Sequence, residues 1–339
     1  MEEKRTMWRS KQRREKLTEI LPLSTPLTIN VEISSSCNLR CCYCLQSLDK
    51  CQKEKQKFLP RNMEYNIFKK LVDGCKQFDR KIKVLKLCGL GEPLINPRLE
   101  DMIKYANESG YFEKIILFSN GVLLTPERTD KIMQSGGIDS VLLDIQGISA
   151  DDYLRYAGIT IDYEKFIENI QYFFAQSRER NTEVFAKAYR FALNNQTERF
   201  FELFAPIADY VSIDNIYEVF KNVDYSGLIT TQDTFGNEID YKNTEYCPQP
   251  LFLLAVNADG TIEACCNTQD RNESDLVIGD IRNETLYHIW NGKRLKFIRN
   301  SILRNGKVFP KCKDCKLIEN FADSDIIDTN IEKLRQVYL

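Results

Sequence analysis

Short apolar segments alternate with amphipathic ones through most of the chain. Segments with nearly continuous apolar and β-branched residues are typical of strands in a parallel sheet that is covered on both faces. Six such segments occur, at residues 27–33, 82–88, 114–118, 140–144, 183–191 and 210–214. Apolar residues at helical spacing separate them, at residues 64–78, 98–109, 126–135, 150–177 and 195–205. This alternation predicts an α/β fold with a parallel sheet.

The predicted sheet places polar clusters at one edge. Six alternating units favour an open, partial (β/α)6 barrel, in which chemistry collects at the carboxyl ends of the strands. Three cysteines follow the first predicted strand, and residues 89–93 (GLGEP), 119–121 (SNG) and 144–147 (DIQG) follow the next three. We therefore expect a functional site at this edge.

The pattern changes after residue 214. The polar residues that follow carry few helical signals, which is typical of a linker. Two apolar runs joined by a turn at Asp259 and Gly260 then predict a β-hairpin, and residues 284–303 predict an amphipathic helix. The predicted order is a basic lead-in over 1–26, a barrel over 27–214, a linker over 215–246, a small α+β unit over 247–320 and a tail over 321–339.

Composition narrows the classes of function. The chain has 339 residues, of which 43% are apolar and 28% charged, and these values are typical of a globular protein. A net charge of −2 gives no case for a nucleic-acid partner, although the first sixteen residues carry an excess of Lys and Arg. No segment is long and apolar enough to span a membrane, and no signal peptide follows the N-terminal charges. We expect a cytoplasmic protein with no membrane or nucleic-acid partner.

Cysteine and histidine usage favours metal ligation. The chain has twelve cysteines and a single histidine, His288. Without a secretion signal, clustered cysteines indicate metal sites rather than disulfides. The single histidine lies in a predicted helix, which argues against histidine-based zinc sites and Ser-His-Asp triads.

Three cysteines after the first strand form the first candidate site. Cys37, Cys41 and Cys44 have C-x3-C-x2-C spacing, and three thiolates on one loop suit a soft metal. The spacing leaves one iron of a cubane cluster without a cysteine, so that this iron can bind another ligand. A zinc knuckle is the alternative, with Cys42 or Cys51 as the fourth ligand.

The same stretch resembles the signature of the radical S-adenosylmethionine (radical SAM) superfamily, C-x3-C-x-aromatic-C, with Tyr43 as the aromatic residue. The resemblance implies a partial (β/α)6 barrel in which the three cysteines hold a [4Fe–4S] cluster whose fourth iron binds SAM. It also implies reductive cleavage of SAM to a 5′-deoxyadenosyl radical, which abstracts a hydrogen from the substrate. A flavodoxin- or ferredoxin-type reductant is the implied partner.

The GLGEP segment extends the resemblance. Gly91 and Glu92 resemble part of the family's GGEP motif, which implies that they contact the SAM ammonium group. Glycine allows the backbone to approach a ligand closely, and a carboxylate accepts hydrogen bonds from an amine. Leu90 replaces one glycine of the motif, so the backbone contact at that position differs from the commonest form.

Polar residues after the third and fourth strands complete the implied SAM site. Ser119 and Asn120 resemble the polar pair that helps to hold SAM in relatives, with a strand-ending turn as the alternative. Asp144 and Gln146 lie where relatives contact SAM or substrate, although Asp144 could equally cap a turn.

Two basic residues lie on the fifth predicted strand. Lys187 and Arg190 are candidates to pair with the SAM carboxylate or with an anionic group of the substrate. Arg190 is the better candidate because a planar guanidinium group matches a carboxylate. Both alternate with apolar residues, so a solvated, outward-facing position is the alternative.

The second cysteine set lies in the C-terminal unit. Cys247, Cys265, Cys312 and Cys315, with the segment ETLYHIWNG between them, resemble the auxiliary-cluster domains called SPASM and twitch. The full SPASM pattern has further cysteines, and none follows Cys315 here. The resemblance therefore implies one additional [4Fe–4S] cluster, ligated fully by protein. A four-cysteine zinc site is the alternative.

A fully ligated second cluster implies an electron carrier rather than a substrate site. One predicted reaction is dehydrogenation, in which a substrate radical passes its electron to this cluster, and the other is epimerisation, in which a thiol quenches the radical. Cys266 is the candidate hydrogen donor, and a small buried hairpin residue is the alternative. The cysteines expected to be structural are Cys42, Cys51, Cys75 and Cys88.

The length of the N-terminal segment bears on the substrate class. The segment before the first strand is too short for a peptide-recognition domain. This favours a small polar metabolite such as a sugar or aminocyclitol, with a peptide-modifying maturase as the alternative. A zinc-stabilised binding module is an alternative of another class, and metal analysis would distinguish it from an iron–sulfur enzyme.

Overall fold

Nine strands form one mostly parallel sheet in the computed structural model, which describes residues 4–6, 15–56, 58–220, 222–267 and 275–339. The six predicted barrel strands are confirmed. The strands are β1 (Thr28–Glu32), β2 (Ile82–Cys88), β3 (Phe112–Ser119), β4 (Ser140–Ile145), β5 (Glu183–Tyr189), β6 (Tyr210–Asp214), β7 (Leu253–Val256), β8 (Thr261–Glu263) and β9 (Val277–Asp280).

The strand order is β6-β5-β4-β3-β2-β1-β7-β8-β9. Strands β1 to β6 pair in parallel with their sequence neighbours, as a series of βα units requires. The predicted hairpin β7–β8 and the last strand β9 pair in antiparallel fashion. The predicted α/β class and a partial barrel therefore agree with the observed sheet.

Helices alternate with the barrel strands and then dominate the C-terminal unit. The α-helices are α1 (Leu17–Ile20), α2 (Lys50–Lys55), α3 (Tyr65–Gly74), α4 (Leu99–Ser109), α5 (Pro126–Gln134), α6 (Ala150–Ala157), α7 (Tyr163–Ser177), α8 (Thr197–Phe204), α9 (Gln249–Phe252), α10 (Leu286–Asn291), α11 (Lys293–Asn305), α12 (Pro310–Lys313) and α13 (Ile331–Tyr338). The single helix predicted over 284–303 is divided at Gly292, whose backbone is extended (φ −71°, ψ 159°). Among the described residues, no helix is both long and apolar enough to cross a bilayer.

The two faces of the barrel sheet differ in character. One face packs against the helices through buried aliphatic side chains such as Val31, Leu85 and Leu117. The inner face carries a smaller apolar layer of Ile116, Leu142 and Phe185. Because side chains alternate along a strand, this inner layer leaves polar positions at the carboxyl ends of the same strands.

The C-terminal unit continues the barrel sheet, which the sequence pattern did not predict. Strand β7 pairs in parallel with β1, from Thr28 opposite Leu253 to Val31 opposite Val256. An open barrel leaves the outer edge of β1 unpaired, and β7 satisfies the backbone groups at that edge. The second cysteine set is therefore fixed to the barrel through main-chain hydrogen bonds.

The other edge of the sheet is covered by the N-terminal residues 4–6. Arg5 forms a parallel bridge with Val211 of β6, and the Thr6 amide donates to the Val211 carbonyl at 3.0 Å. The Lys4 ammonium donates to the Ala205 carbonyl at 2.8 Å. Part of the predicted basic lead-in thus protects an edge strand, while residues 1–3 and 7–14 lie outside the described part of the chain.

Candidate functional site

The first three cysteines lie on the loop after β1, which backbone hydrogen bonds hold against the end of α6. The Arg40 amide donates to the Ala157 carbonyl at 2.7 Å, and the Cys42 amide donates to the Tyr156 carbonyl at 2.9 Å. The Cys44 amide in turn donates to the Cys41 carbonyl at 2.9 Å. This loop is therefore an ordered turn rather than a free connection.

The three thiols share one small region. Burial, with smaller contributions from Glu92 and Cys44, raises the pKa of the Cys37 thiol to about 12. Burial also raises the pKa of Cys41, and both Cys44 and Cys37 add to that shift. Deprotonation of these buried, adjacent thiols therefore needs a compensating positive charge, which a metal cluster would supply.

Nearby polar groups suit a ligated sulfur at Cys37. The Leu39 amide donates to the Cys37 sulfur at 3.4 Å, and the Asn120 side-chain amide lies 3.9 Å from it. Asn120 also donates to Asn38 Oδ1 at 2.9 Å, which fixes the amide in place. The predicted site residue Asn120 is thus brought to the cysteine loop.

Tyr43 connects the cysteine loop to the end of β4. Its hydroxyl donates to Gln146 Oε1 at 2.6 Å, and the Cys41 sulfur lies 3.5 Å from the same oxygen. The Gln146 amide nitrogen donates to the Asp144 carbonyl at 2.9 Å. The Tyr43 ring packs edge-on against Tyr189, with 5.0 Å between ring centroids. Burial raises the pKa of Tyr43, so its hydroxyl stays protonated and can donate this hydrogen bond.

Glu92 is the buried acid of the GLGEP segment, with 1% of its surface exposed. Its Oε1 accepts from the Ser119 hydroxyl at 2.8 Å and from the Leu94 amide at 3.0 Å. Its Oε2 accepts from the Asn120 amide at 2.8 Å. Two carboxylate oxygens offer about four acceptor positions, so one position on Oε2 is left for a further donor such as an ammonium group. The structure thus brings Glu92, Ser119 and Asn120 together.

Burial sets the protonation of this carboxyl group. Desolvation raises the pKa of Glu92 to about 7, and the negative charge of Asp144 adds to the shift, whereas the three hydrogen bonds oppose it. Within the described part of the chain, the Glu92 carboxylate therefore has no positively charged group among the main contributors to its pKa. A primary amine bound at Oε2 would restore that balance.

Gly91 allows the GLGEP segment to lie directly against the loop after β1. A Cβ atom at Gly91 would lie 2.3 Å from the Ser36 carbonyl oxygen and 2.4 Å from that of Ser34. The Glu92 amide donates to the same Ser36 carbonyl at 2.8 Å. The predicted Gly91 therefore serves close backbone packing beside the site.

A charged triad occupies the inner face at the ends of β4, β5 and β6. The Lys187 ammonium lies 2.8 Å from Asp144 Oδ1 and 3.8 Å from Asp214 Oδ2. Burial lowers the pKa of Lys187, but the two carboxylates outweigh it and raise the pKa well above its usual range, so the side chain is a cation. Lys187 thus faces the barrel interior. Asp214 was not predicted from the sequence as a site residue, although its position at the end of the sixth strand indicated that it would lie at this edge of the sheet.

Arg190 lies beyond the end of β5 and bonds to the chain itself. Its Nε donates to the Gln232 carbonyl at 3.2 Å, and Nη2 donates to the Asp233 carbonyl. These contacts tie the strand end to the segment after β6. A role for Arg190 in binding the SAM carboxylate stays a prediction.

The second cysteine set also converges. Burial raises the pKa of Cys312 to about 11, and Cys315 adds to the shift. Burial likewise raises the pKa of Cys247, and Cys312 and Cys315 contribute to that shift. Cys265 behaves in the same way, with Cys247 among its neighbours. These four thiols therefore form one group.

Asn267 donates hydrogen bonds to two sulfurs of this group. Its backbone amide donates to the Cys265 sulfur at 3.3 Å, and its side-chain amide donates to the Cys315 sulfur at 3.6 Å. Donors of this kind stabilise thiolate character in a ligand. Asn267 was not singled out from the sequence, where its only signal was adjacency to the cysteine pair.

Cys266 lies beside the second set and is exposed. Its thiol donates to Gln249 Oε1 at 3.5 Å. Burial raises the pKa of Cys88 to about 12, and Cys266 is among the neighbours that add to the shift. The role of Cys266 as a hydrogen donor stays a prediction.

The donor sets fit iron–sulfur clusters. Both sets consist of cysteine thiols, which are the protein ligands of iron–sulfur clusters. A four-cysteine zinc site places all its sulfurs about 2.3 Å from one ion. In a cubane cluster, by contrast, each cysteine binds a different iron, so the sulfurs stand farther apart. The first set would hold three irons of such a cluster and the second set all four.

Two residues that sequence reasoning missed brace the site. Glu32, at the end of β1, accepts hydrogen bonds from the Leu90 and Ala258 amides. The Tyr225 hydroxyl donates to the Tyr43 carbonyl at 3.1 Å and accepts from the Phe220 amide at 3.2 Å. A charged residue within an apolar strand was the available signal for Glu32. Tyr225 carried none, because its partner lies 182 residues away in the chain.

Comparison with known proteins matches two families to the two parts of the chain. The radical SAM superfamily matches residues 31–185, and SPASM, an iron–sulfur cluster-binding domain, matches residues 247–316. The first match contains Cys37, Cys41, Cys44 and the GLGEP segment. The second contains all four cysteines of the C-terminal set.

Three similar proteins illustrate the range of relatives. The tungsten-containing aldehyde ferredoxin oxidoreductase cofactor-modifying protein of Pyrococcus furiosus is 23% identical over 324 residues, covering 85% of this chain and 86% of the relative. The structure of BtrN in complex with AdoMet and 2-DOIA has a TM-score of 0.54 at 17% identity and covers 85% of this chain and 92% of BtrN. Native anSMEcpe with bound AdoMet and Cp18Cys peptide has a TM-score of 0.58 at 14% identity and covers 92% and 96% of the two chains.

The similarity to solved structures supports the fold, and the two matched domains define the cofactors. Radical SAM and SPASM domains bind SAM, a SAM-associated [4Fe–4S] cluster and an auxiliary [4Fe–4S] cluster. The donor sets described above suit these groups. The chain is therefore a radical SAM superfamily enzyme with a C-terminal SPASM iron–sulfur domain.

Proposed function

We propose that this enzyme abstracts a hydrogen atom from a small polar metabolite of the sugar or aminocyclitol class and completes a dehydrogenation or an epimerisation. The radical SAM cluster with SAM supplies the 5′-deoxyadenosyl radical for such chemistry. Dehydrogenation is the reaction that we favour, because the second cysteine set suits an electron acceptor.

We favour dehydrogenation over epimerisation because the four cysteines of the C-terminal set form one group on a unit that shares the barrel sheet. Four thiolates occupy every iron of a cubane, so a cluster held there has no open position for substrate. The β1–β7 pairing fixes this unit to the barrel. A fixed, closed cluster is suited to taking an electron from a substrate radical.

The residues of this chain supply binding and proton transfer. Glu92 offers Oε2 to the SAM ammonium, and Asn120 holds the same loop. Asp144, Lys187 and Asp214 face the barrel interior as hydrogen-bonding and charged groups for a hydroxylated substrate. In a dehydrogenation, a carboxylate such as that of Asp144 would take the hydroxyl proton while the carbon loses its hydrogen atom.

A peptide substrate is the second candidate. Its support is the similarity in fold to anSMEcpe, whose structure contains a bound peptide. A cavity of about 540 Å³ lies between the end of β5 and the segment after β6, with Arg190 and Glu238 among its lining residues. An open polar cavity of this size could accept an extended side chain.

Incubation in deuterated water separates the two proposed reactions. Dehydrogenation predicts a product that is two mass units lighter than the substrate, with no solvent deuterium at carbon. Epimerisation predicts one deuterium at carbon, because the quenching thiol exchanges with solvent. Candidate sugars, aminocyclitols and peptides are incubated with reduced enzyme and SAM, and products are analysed by mass spectrometry. Turnover of peptides alone would overturn the small-metabolite proposal.

Replacement of Cys266 tests the thiol donor. If epimerisation occurs, we expect Cys266→Ala to form 5′-deoxyadenosine but to lose the inverted product, because no other hydrogen donor has been assigned. Cys51→Ala is a matched control, since Cys51 is exposed on α2. Product of normal stereochemistry from Cys266→Ala would eliminate the donor role.

Glu92→Gln should raise the dissociation constant of SAM by about 10- to 100-fold. The substitution keeps the shape of the side chain but removes a charge-assisted hydrogen bond, which is worth about 1.5–3 kcal/mol. Isothermal titration with anaerobically reconstituted protein measures the effect. Glu127→Gln, which changes an exposed carboxylate on α5, should leave the dissociation constant unchanged. Equal affinity in Glu92→Gln and the parent enzyme would remove Glu92 from the SAM site.

The raised pKa of Glu92 predicts a pH dependence of SAM binding. Below about pH 7 the carboxyl group is protonated in the SAM-free protein, so binding of the ammonium must displace that proton. Affinity should therefore fall as the pH is lowered through 7, approaching about tenfold per pH unit. The pKa of Glu92 is higher in the folded protein than in the unfolded chain. Protonation of Glu92 therefore stabilises the folded, SAM-free protein, and this contribution to stability is lost as the pH rises through about 7. Glu92→Gln should abolish the pH dependence of binding in this range.

A further inference from the structure

Glu32 joins three parts of the molecule that the proposed function uses. It ends β1, lies opposite Cys88 of β2 and has only 4% of its surface exposed. Its Oε1 accepts from the Leu90 amide of the GLGEP segment at 3.1 Å. Its Oε2 accepts from the Ala258 amide, at the tip of the β7–β8 hairpin, also at 3.1 Å.

The surroundings of Glu32 leave its carboxylate little freedom. Gly89 has a φ of +132°, and a Cβ atom there would lie 2.5 Å from Glu32 Cγ. The backbone of the GLGEP segment thus passes directly over the Glu32 side chain, which only glycine permits at this position. Ala258 is 2% exposed, so its amide cannot turn to water instead and depends on the Glu32 carboxylate for an acceptor.

The contact of Glu32 with the Leu90 and Ala258 amides requires a carboxylate. Two N–H donors bind the side chain, one at each oxygen, and each needs an acceptor. Glutamate presents an acceptor to both, whereas glutamine would turn an NH2 group towards one of the donors. Aspartate is one methylene shorter and could not span the same two donors.

We propose that Glu32 is a positioning residue that couples the SAM-binding loop to the auxiliary-cluster domain. The Glu92 side chain follows Leu90 by two residues, so the position of the Leu90 amide influences where the Glu92 carboxylate lies. The hairpin tip held by the other oxygen leads through β8 to Cys265. Occupancy of the SAM site and order of the hairpin tip are then linked through one carboxylate.

This coupling is reciprocal, as for any linkage between two sites. SAM binding holds the GLGEP segment, which keeps the Leu90 amide on Glu32 and in turn steadies the hairpin. Conversely, loss of the hairpin contact loosens the loop and weakens SAM binding. The proposal rests on the proposed role of Glu92 in binding the SAM ammonium.

Hydrogen exchange and SAM titration of Glu32→Gln test the coupling. In the parent enzyme, SAM should slow amide exchange both in residues 89–92 and in residues 257–260. In Glu32→Gln we expect the dissociation constant of SAM to rise about five- to tenfold. SAM should also no longer protect residues 257–260. The exchange measurement does not depend on turnover.

Asp139→Asn is the matched control. The Asp139 carboxylate accepts from the Ile115 amide at 2.7 Å, but at the amino-terminal ends of the strands. The Asp139→Asn substitution should leave both the affinity for SAM and the SAM-dependent protection of the hairpin unchanged. A purely structural role for Glu32 would lower the melting temperature yet keep SAM-dependent protection of the hairpin, and that result overturns the proposal. Glu32→Asp is a second variant that retains the charge, and it should lose the same protection.

Glu92→Gln distinguishes failure of this inference from failure of the proposed SAM site. If Glu92→Gln weakens SAM binding but Glu32→Gln does not, only the coupling is wrong. If Glu92→Gln leaves SAM binding intact, the assigned role of the loop is wrong and the coupling proposal fails with it.

Discussion

Cys44→Ala is expected to abolish the formation of 5′-deoxyadenosine. Cys37, Cys41 and Cys44 are the only protein ligands proposed for the SAM-associated cluster, and its fourth iron must stay open for SAM. Loss of an outer-shell partner typically lowers metal affinity or activity by about 10- to 100-fold. Loss of a ligand from a three-cysteine site should therefore lower the rate by more than about 100-fold.

Iron analysis and product analysis check this expectation together. The parent enzyme, reconstituted without oxygen, should contain about eight iron atoms per chain, and Cys44→Ala about four. Cys42→Ala is the matched control, because Cys42 is half-buried on the same loop and is not a proposed ligand. Near-parental formation of 5′-deoxyadenosine by Cys44→Ala would contradict the assignment of the first cluster. A zinc content of one atom per four cysteines, with no iron uptake, would contradict the iron–sulfur assignment altogether.

Cys312→Ala is expected to separate SAM cleavage from product formation. The variant keeps the first cysteine set and Glu92, so 5′-deoxyadenosine should still form. The substrate radical, however, has no auxiliary cluster to accept its electron. We expect dehydrogenated product to fall by more than about 100-fold, while 5′-deoxyadenosine stays within about fivefold of the parent rate.

Spectroscopy distinguishes this outcome from general damage. Reduced parent enzyme should show two cluster signals by electron paramagnetic resonance, of which only one shifts on addition of SAM. Cys312→Ala should retain the SAM-sensitive signal and lose the other. Cys51→Ala, which removes an exposed thiol from α2, should retain both. Unchanged product yield in Cys312→Ala would remove the electron-acceptor role from the proposed function.

The features set by local sequence were predictable. Six apolar runs gave the six barrel strands, and clustered cysteines indicated both cluster sites. The GLGEP segment was placed at the end of β2, as the alternation of strands and helices required. Each of these rests on patterns within a few residues or on a repeated unit.

The features set by distant contacts were not predictable. Strand β7 has the same apolar pattern whether it lies in a separate hairpin or beside β1, and only the open barrel edge decides between them. Glu32 offered an unusual charge but no indication of its partners, Leu90 and Ala258. Lys187 and Arg190 are close in sequence, yet only Lys187 faces the barrel interior, because the strand ends between them.

The pairing of β7 with β1 also bears on how this architecture tolerates sequence change. Backbone hydrogen bonds do not depend on side-chain identity. Substitutions in β1 or β7 can therefore alter side-chain packing without breaking the hydrogen bonds between the two strands. The spacing of the two iron sites is then inherited from the path of the main chain. Residues that line the barrel interior can diverge around that fixed frame while the two cysteine sets keep their relative positions.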